Sequence, residues 1–410
     1  MNKLRALCLM ACAALPASLP AQQVPGATAL PDHPYSIKKT WIIGGVGNWD
    51  YLTLDPVALQ LFIAHGPVVQ VVDVETGAVT GQVTGLRQAH DIALDDTGEF
   101  GYVSDGPAGQ VKVFNRRSLQ VVAGIPTGPS PRALVFDPQN RLLFAVCTTA
   151  AAGALPQNKG QQPNRESEIK TSVTVIDTQT RQPLGEILMP GQLGFAQSDG
   201  NGQVFISVVN RNQIAHLDAG AIATLLRNPT APSSSDAPTQ PVTPQILDWS
   251  FESHLPNSAQ NRMNIFTLGS DCPASSSLAV DHNDQRLFVA CNNMKMVVLN
   301  ASNGQFVTSL PTGPGTDAIA YDANHSLIYT ANGGAQGSLT VIHQDVTDTY
   351  AVIQDLPTRQ RARTLAVNPA SGEVYLVTDL MGINLAKPGG IGSLQPVPVN
   401  GSFQVLVIGN

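Results

Sequence analysis

No segment beyond the first twenty-one residues is long and apolar enough to cross a membrane. Basic side chains are short too: 23 Lys and Arg stand against 30 Asp and Glu, a net charge of −7. An acidic protein has no long-range attraction for phosphate backbones, so nucleic acid is an unfavoured partner. The 8 histidines are scattered and no HExxH or CxxC spacing occurs, which removes the common zinc motifs. A GxSxG elbow, a phosphate loop and a dinucleotide fingerprint are missing from any suitable context, so no cofactor is expected. The run Asp281-His282-Asn283-Asp284 lacks the glycine and terminal glutamate of a calcium loop. Aromatic residues make up only 5% of the chain and charged residues 13%.

Turn chemistry, by contrast, is plentiful, with 36 Gly and 30 Pro. Leu310 to His343 shows how it is used: a proline and glycine loop, a short strand, a tight turn at Asp322, a second strand, a glycine loop and a third strand. Nearly the same order recurs at TGPSPRALVFDPQNRLLFAVC, SSSLAVDHNDQRLFVACNNMKMVVLN and QAHDIALDDTGEFGYVSDGPAGQVKVFN. Self-similarity of strands and turns at a period of about forty residues is the mark of a β-propeller. One blade buries its apolar alternation only against its neighbours, so the Leu, Val, Ile and Phe of these strands are core.

Taken in order, Lys3 and Arg5, the apolar run Ala6 to Leu15 and the small residues Ala17 to Ala21 read as a secretory signal cleaved after Ala21. A lipoprotein signal ending at Cys12 is the rival reading, with a very short apolar run before it. Cleavage leaves 21 basic against 30 acidic side chains, a net charge of −9, and places the protein in the periplasm or outside the cell. Residues 22–34 form a polar leader, and 35–410 form the propeller, with inserts at 151–170, 228–262 and 380–401. Asp95, Asp137, Asp281 and Asp322, with Asn368 in the last repeat, mark the turn after each first strand; Pro or Gly beside them is expected to supply the special dihedrals. The final repeat stops one strand short, and the orphan strand Tyr35 to Gly44 completes it. Seven blades of four antiparallel strands result, and the monomer closes on itself without an open edge.

The turn residue serves as a ruler. Five positions before it stand Asp50, His90, Arg132, Gly194, Ser276, Asp317 and Arg363, a ring of mainly polar groups at one level of the central channel. Two readings compete. In the first, Arg363 bridges Asp50 and Asp317 and plugs the mouth. In the second, Arg132 and Arg363 anchor an anion or carbohydrate, with His90 as acid or base. Trp49, His65, Asp91 and Arg361 stand close enough in sequence to extend such a site. Asp105, Asn210, Asn292, Asn332 and Asp379 end second strands, where they cap loops or furnish a hard-cation site. Cys272 and Cys291 fall on the same face of one blade and are expected to form a disulfide, leaving Cys147 as a free thiol.

The second strands GYVSDG, LIYTANG, LFVACNN and LFIAHG, with third strands such as VVDVETG and VTVIDTQT, resemble the YVTN-repeat (YncE-like) family of exported seven-bladed propellers. That resemblance covers roughly Tyr35 to Asn410 outside the inserts. It implies a binding or interaction module whose small-molecule, glycan or protein ligand sits on the channel face. It also admits a periplasmic enzyme, lactonase-like or akin to a quinoprotein dehydrogenase subunit, working through the same ring.

Overall fold

The structure is a computed structural model that describes residues 34–45, 47–148, 170–227, 245–249, 263–346, 348–383 and 396–410. The expected signal, cleavage site and lipoprotein cysteine, nearly all of the leader, almost all of the 151–170 insert and most of the 228–262 insert lie outside these residues.

Seven sheets built on four antiparallel strands surround one axis, and one of them gains a fifth strand at its outer edge. The innermost strands are Trp49–Asp55, Ala89–Leu94, Pro131–Asp137, Leu193–Ser198, Ser275–Asp281, Thr316–Asp322 and Thr364–Val367, and each touches the next around the ring. Blades 1 to 7 are numbered in that order. Each second and third strand alternates apolar residues between its two faces, so each sheet feeds two seams. In blade 1, Leu61 and Ile63 face blade 7, while Phe62 and Ala64 face blade 2. Seven buried apolar clusters result, one at every seam. Each fully buried Leu, Ile or Phe in them contributes about 1.5–3 kcal/mol relative to exposure.

Closure follows the expected route. Ser36–Ile42 pairs antiparallel with Gln404–Gly409, from Ser36 opposite Gly409 to Ile42 opposite Gln404. Tyr35 then inserts between blades 6 and 7, where its hydroxyl lies 2.9 Å from that of Tyr329 and its backbone bonds Gln354 through both N–H and C=O.

The turn carboxylates work as expected: Asp55 Oδ1 accepts from Val57 and Ala58 N–H at 3.0 Å, and Asp322 and Asn368 repeat the contact. The dihedral reading needs correction. In four of these turns the left-handed residue is Leu59, Arg141, Gln285 or Ser326, with φ of 53–54°. Strand pairing on both sides forces the conformation there, so an ordinary side chain bears a strain that Gly98 and Gly372 avoid in their blades.

Blade 4 departs most from the repeat. After Gln213–Asp218 the chain forms the helix Ala219–Arg227, and Gln245–Asp248 adds a fifth, parallel strand to the outer edge of blade 3. Met263–Thr267 then returns as the fourth strand of blade 4. In the blade 7 insert, Met381–Ile383 pairs with Pro396–Pro398. Cys272 and Cys291 are joined by a disulfide with Cα atoms 5.2 Å apart, and Cys147 is a buried free thiol.

Candidate functional site

Six of the seven ring positions share one backbone feature. In blades 1 to 6 the innermost strand carries a β-bulge, and Asp50, His90, Arg132, Gly194, Ser276 and Asp317 lie inside it. Arg363 immediately precedes its strand in blade 7. A bulge puts an extra residue opposite one partner and re-aims its side chain, which explains how one level of the channel escapes the alternation below it. Gly194 fits the pattern too, because Asp199 is the blade 4 turn residue: its Oδ1 accepts from Asn201 and Gln203 N–H.

The ring members have different fates. Asp50, Arg132 and Arg363 line a cavity of about 500 Å³ at the mouth, with Trp49, Gln88 and Arg361. Asp50 Oδ2 meets His90 Nδ1 at 2.9 Å and Arg132 Nη2 at 3.4 Å. Arg363 meets Asp317 at 3.4 Å and donates to the Trp49 carbonyl at 3.4 Å. The expected Asp50–Arg363–Asp317 bridge therefore does not form, because His90 and Arg132 take Asp50. His90 is buried behind Asp50, not open to the mouth as an acid or base would require. Ser276 hydroxyl donates to the Thr316 carbonyl at 2.9 Å and staples blades 5 and 6. Gly194 leaves its place to the next residue, Phe195.

Tyr51 and Phe195 meet across the axis from blades 1 and 4, ring centroids 5.1 Å apart. Both also line a separate cavity of about 550 Å³ bounded by the innermost strands of all seven blades. The aromatic pair thus stands between mouth and lower channel. Burial lifts the Tyr51 phenol well above its ordinary range, and the carboxylates of Asp317, Asp50 and Asp91 add to it. Burial likewise raises Asp317, with Arg363 opposing. Asp91 is pushed up to about 7 by burial, against backbone N–H groups of Leu134 and Ile92 that favour its carboxylate.

Of the suggested extensions, Arg361 joins the site. Its guanidinium lies 4.6 Å from the Trp49 ring centroid and 3.3 Å from Asp379, and it donates to Met381 Sδ at 3.0 Å. Met381, at the start of the blade 7 insert, therefore stands beside the mouth. His65 does not join: it is buried, bonded to Gln70 and packed at a tilt against Phe403. Of the Asp and Asn ending second strands, Asp105 and Asn210 hold loops. Asp105 accepts from Arg87 and Gln88 N–H, and Asn210 from Gln192 N–H. Gln88 and the Tyr51–Phe195 pair went unforeseen; a bulge displaces two successive residues, so the position after each ring residue carried the signal for the pair.

No family model matches the chain, and no curated protein matches it in sequence. Solved structures do. One from the crystal structure of the mitotic checkpoint complex is 12% identical, with a TM-score of 0.61, covering 87% of this chain and 93% of that one. The structure of U3-55K is 9% identical (TM-score 0.60; 89% and 97% covered), and the RRP9 WD40 repeats are 9% identical (TM-score 0.60; 90% and 96% covered). With 1795 solved chains matching, the likeness speaks for architecture alone. The chain is a seven-bladed β-propeller with WD40-type structural neighbours.

Proposed function

We propose that the protein is an interaction module that captures a carboxylate-bearing ligand at the channel mouth. One observation carries this reading: three guanidinium groups and a single carboxylate line the mouth cavity of an otherwise acidic protein. The Arg132 and Arg363 side chains are 52% and 44% exposed, and the carboxylates beside them lie at 3.4 Å, so donors remain for a ligand. The burial of His90 favours binding over acid–base catalysis. The second-strand motifs and the N-terminal segment support, further, an exported protein of the YVTN type; N-terminal sequencing of the mature protein tests that, with Gln22 expected first.

Calorimetry with D-glucuronate, D-glucose and an acetylated glutamate peptide tests the site. The two acids bind and glucose does not. Arg132→Ala and Arg363→Ala each weaken binding about tenfold or more, since a hydrogen bond to a charged group is worth about 1.5–3 kcal/mol. Equal binding of glucose, or acids held as tightly by the double variant, would overturn the reading.

A further inference from the structure

On the face opposite the mouth, the Asp199 and Asp281 turns of blades 4 and 5 border a groove of about 280 Å³. Phe205 and His216 line it as a parallel stack, centroids 4.9 Å apart and planes 7° apart. Asp199 and His282 line it as well, and neither Lys nor Arg does so among the described residues.

The lining is rich in acceptors. His216 Nε2 lies 2.7 Å from Gln203 Oε1, an acceptor, so Nε2 carries the proton and Nδ1 holds a lone pair. That Nδ1 is buried and has no partner. Burial also draws the imidazole below its ordinary range, opposed by Asp199 and Asp218, which keeps the acceptor available. Asp199 Oδ1 is occupied by the two turn N–H groups at 2.7 and 2.9 Å, while Oδ2 lies 3.7 Å from His282 Nδ1. A buried acceptor without a partner is unfavourable, and a ligand donor would satisfy it. Among the described residues no group of three metal-ligating side chains exists, so the donor that suits this lining is an N–H group.

We propose that this groove binds an organic cation, an amine or guanidinium, with Asp199 Oδ2 as counter-ion and His216 Nδ1 as acceptor. The site is independent of the mouth and of the ligand proposed there.

Calorimetry on the intact protein uses agmatine, which carries both groups, N-butylurea as a neutral donor, and an acetyl-Gly-Arg-Gly amide peptide. His216→Phe keeps the ring stack and removes the acceptor; Asp199→Asn keeps an oxygen for the turn. Agmatine binds saturably, N-butylurea does not, and each variant loses about tenfold or more in affinity. Agmatine alone identifies a free small cation, whereas equal or tighter peptide binding identifies an arginine side chain of a partner. Saturable binding by neither cation, binding of N-butylurea as tight as agmatine, or His216→Phe binding like the parent protein would overturn the proposal.

Discussion

Asp91 is where a single residue couples the channel to pH. Its carboxyl sits at about 7 when folded, raised by burial, and returns to about 4 on unfolding. The folded state therefore holds the proton more tightly. That stabilising contribution is complete below about pH 4 and is lost as pH rises through about 7. Urea midpoints should fall across that window, and Asp91→Asn should flatten the decline. An unchanged slope in the variant would assign it to another group. At this scale the ring was legible because the turn Asp is an invariant distance from the bulge. Partner choice was not: Asp50 takes His90 and Arg132 where Arg363 was expected, because side-chain reach across three blades depends on channel width. Nothing in the spacing of His90 revealed its burial.

Among the elements, blade 5 carries a covalent staple that can be removed cleanly. Cys272 and Cys291 close a loop of 19 residues, and their joint replacement by Ser should cost about 3 kcal/mol, read as a lower denaturation midpoint. No change would mean that the bond is absent from the protein in solution. Tyr35→Phe removes one hydroxyl from the buried Tyr35–Tyr329 pair and should cost about 1 kcal/mol. The compact blades could be read residue by residue, since their strands follow one another with no long detour. Blade 4 could not. Its fourth strand, MNIFT, comes after a thirty-five-residue excursion and has no turn signal linking it to Gln213–Asp218. Only the free edge of that sheet explains where it goes, as the edge of blade 3 explains Gln245–Asp248.

For the molecule as a whole, stability is shared among seven seams of similar construction, and the ring holds only if all seven exist at once. A form lacking residues up to Ile42 should lose the outer strand of blade 7, expose the edge of Gln404–Gly409 and self-associate. Light scattering and calorimetry would show a lower, broader transition. A monomer melting like the parent would mean that the N-terminal strand is dispensable. Architecture was the most legible feature because it is written many times over. The two ligand surfaces were the least, because each is assembled from several blades and appears in none of them alone.

The clasp between Ser36–Ile42 and Gln404–Gly409 also orders events during synthesis. Ser36–Ile42 is made before all seven innermost strands, and among the described residues its one sheet partner is Gln404–Gly409, so it must stay unpaired while the intervening blades are made. The circle can lock only after Gln404–Gly409 has been made, and any factor that shields the waiting strand would act on a piece of chain with a delayed destination.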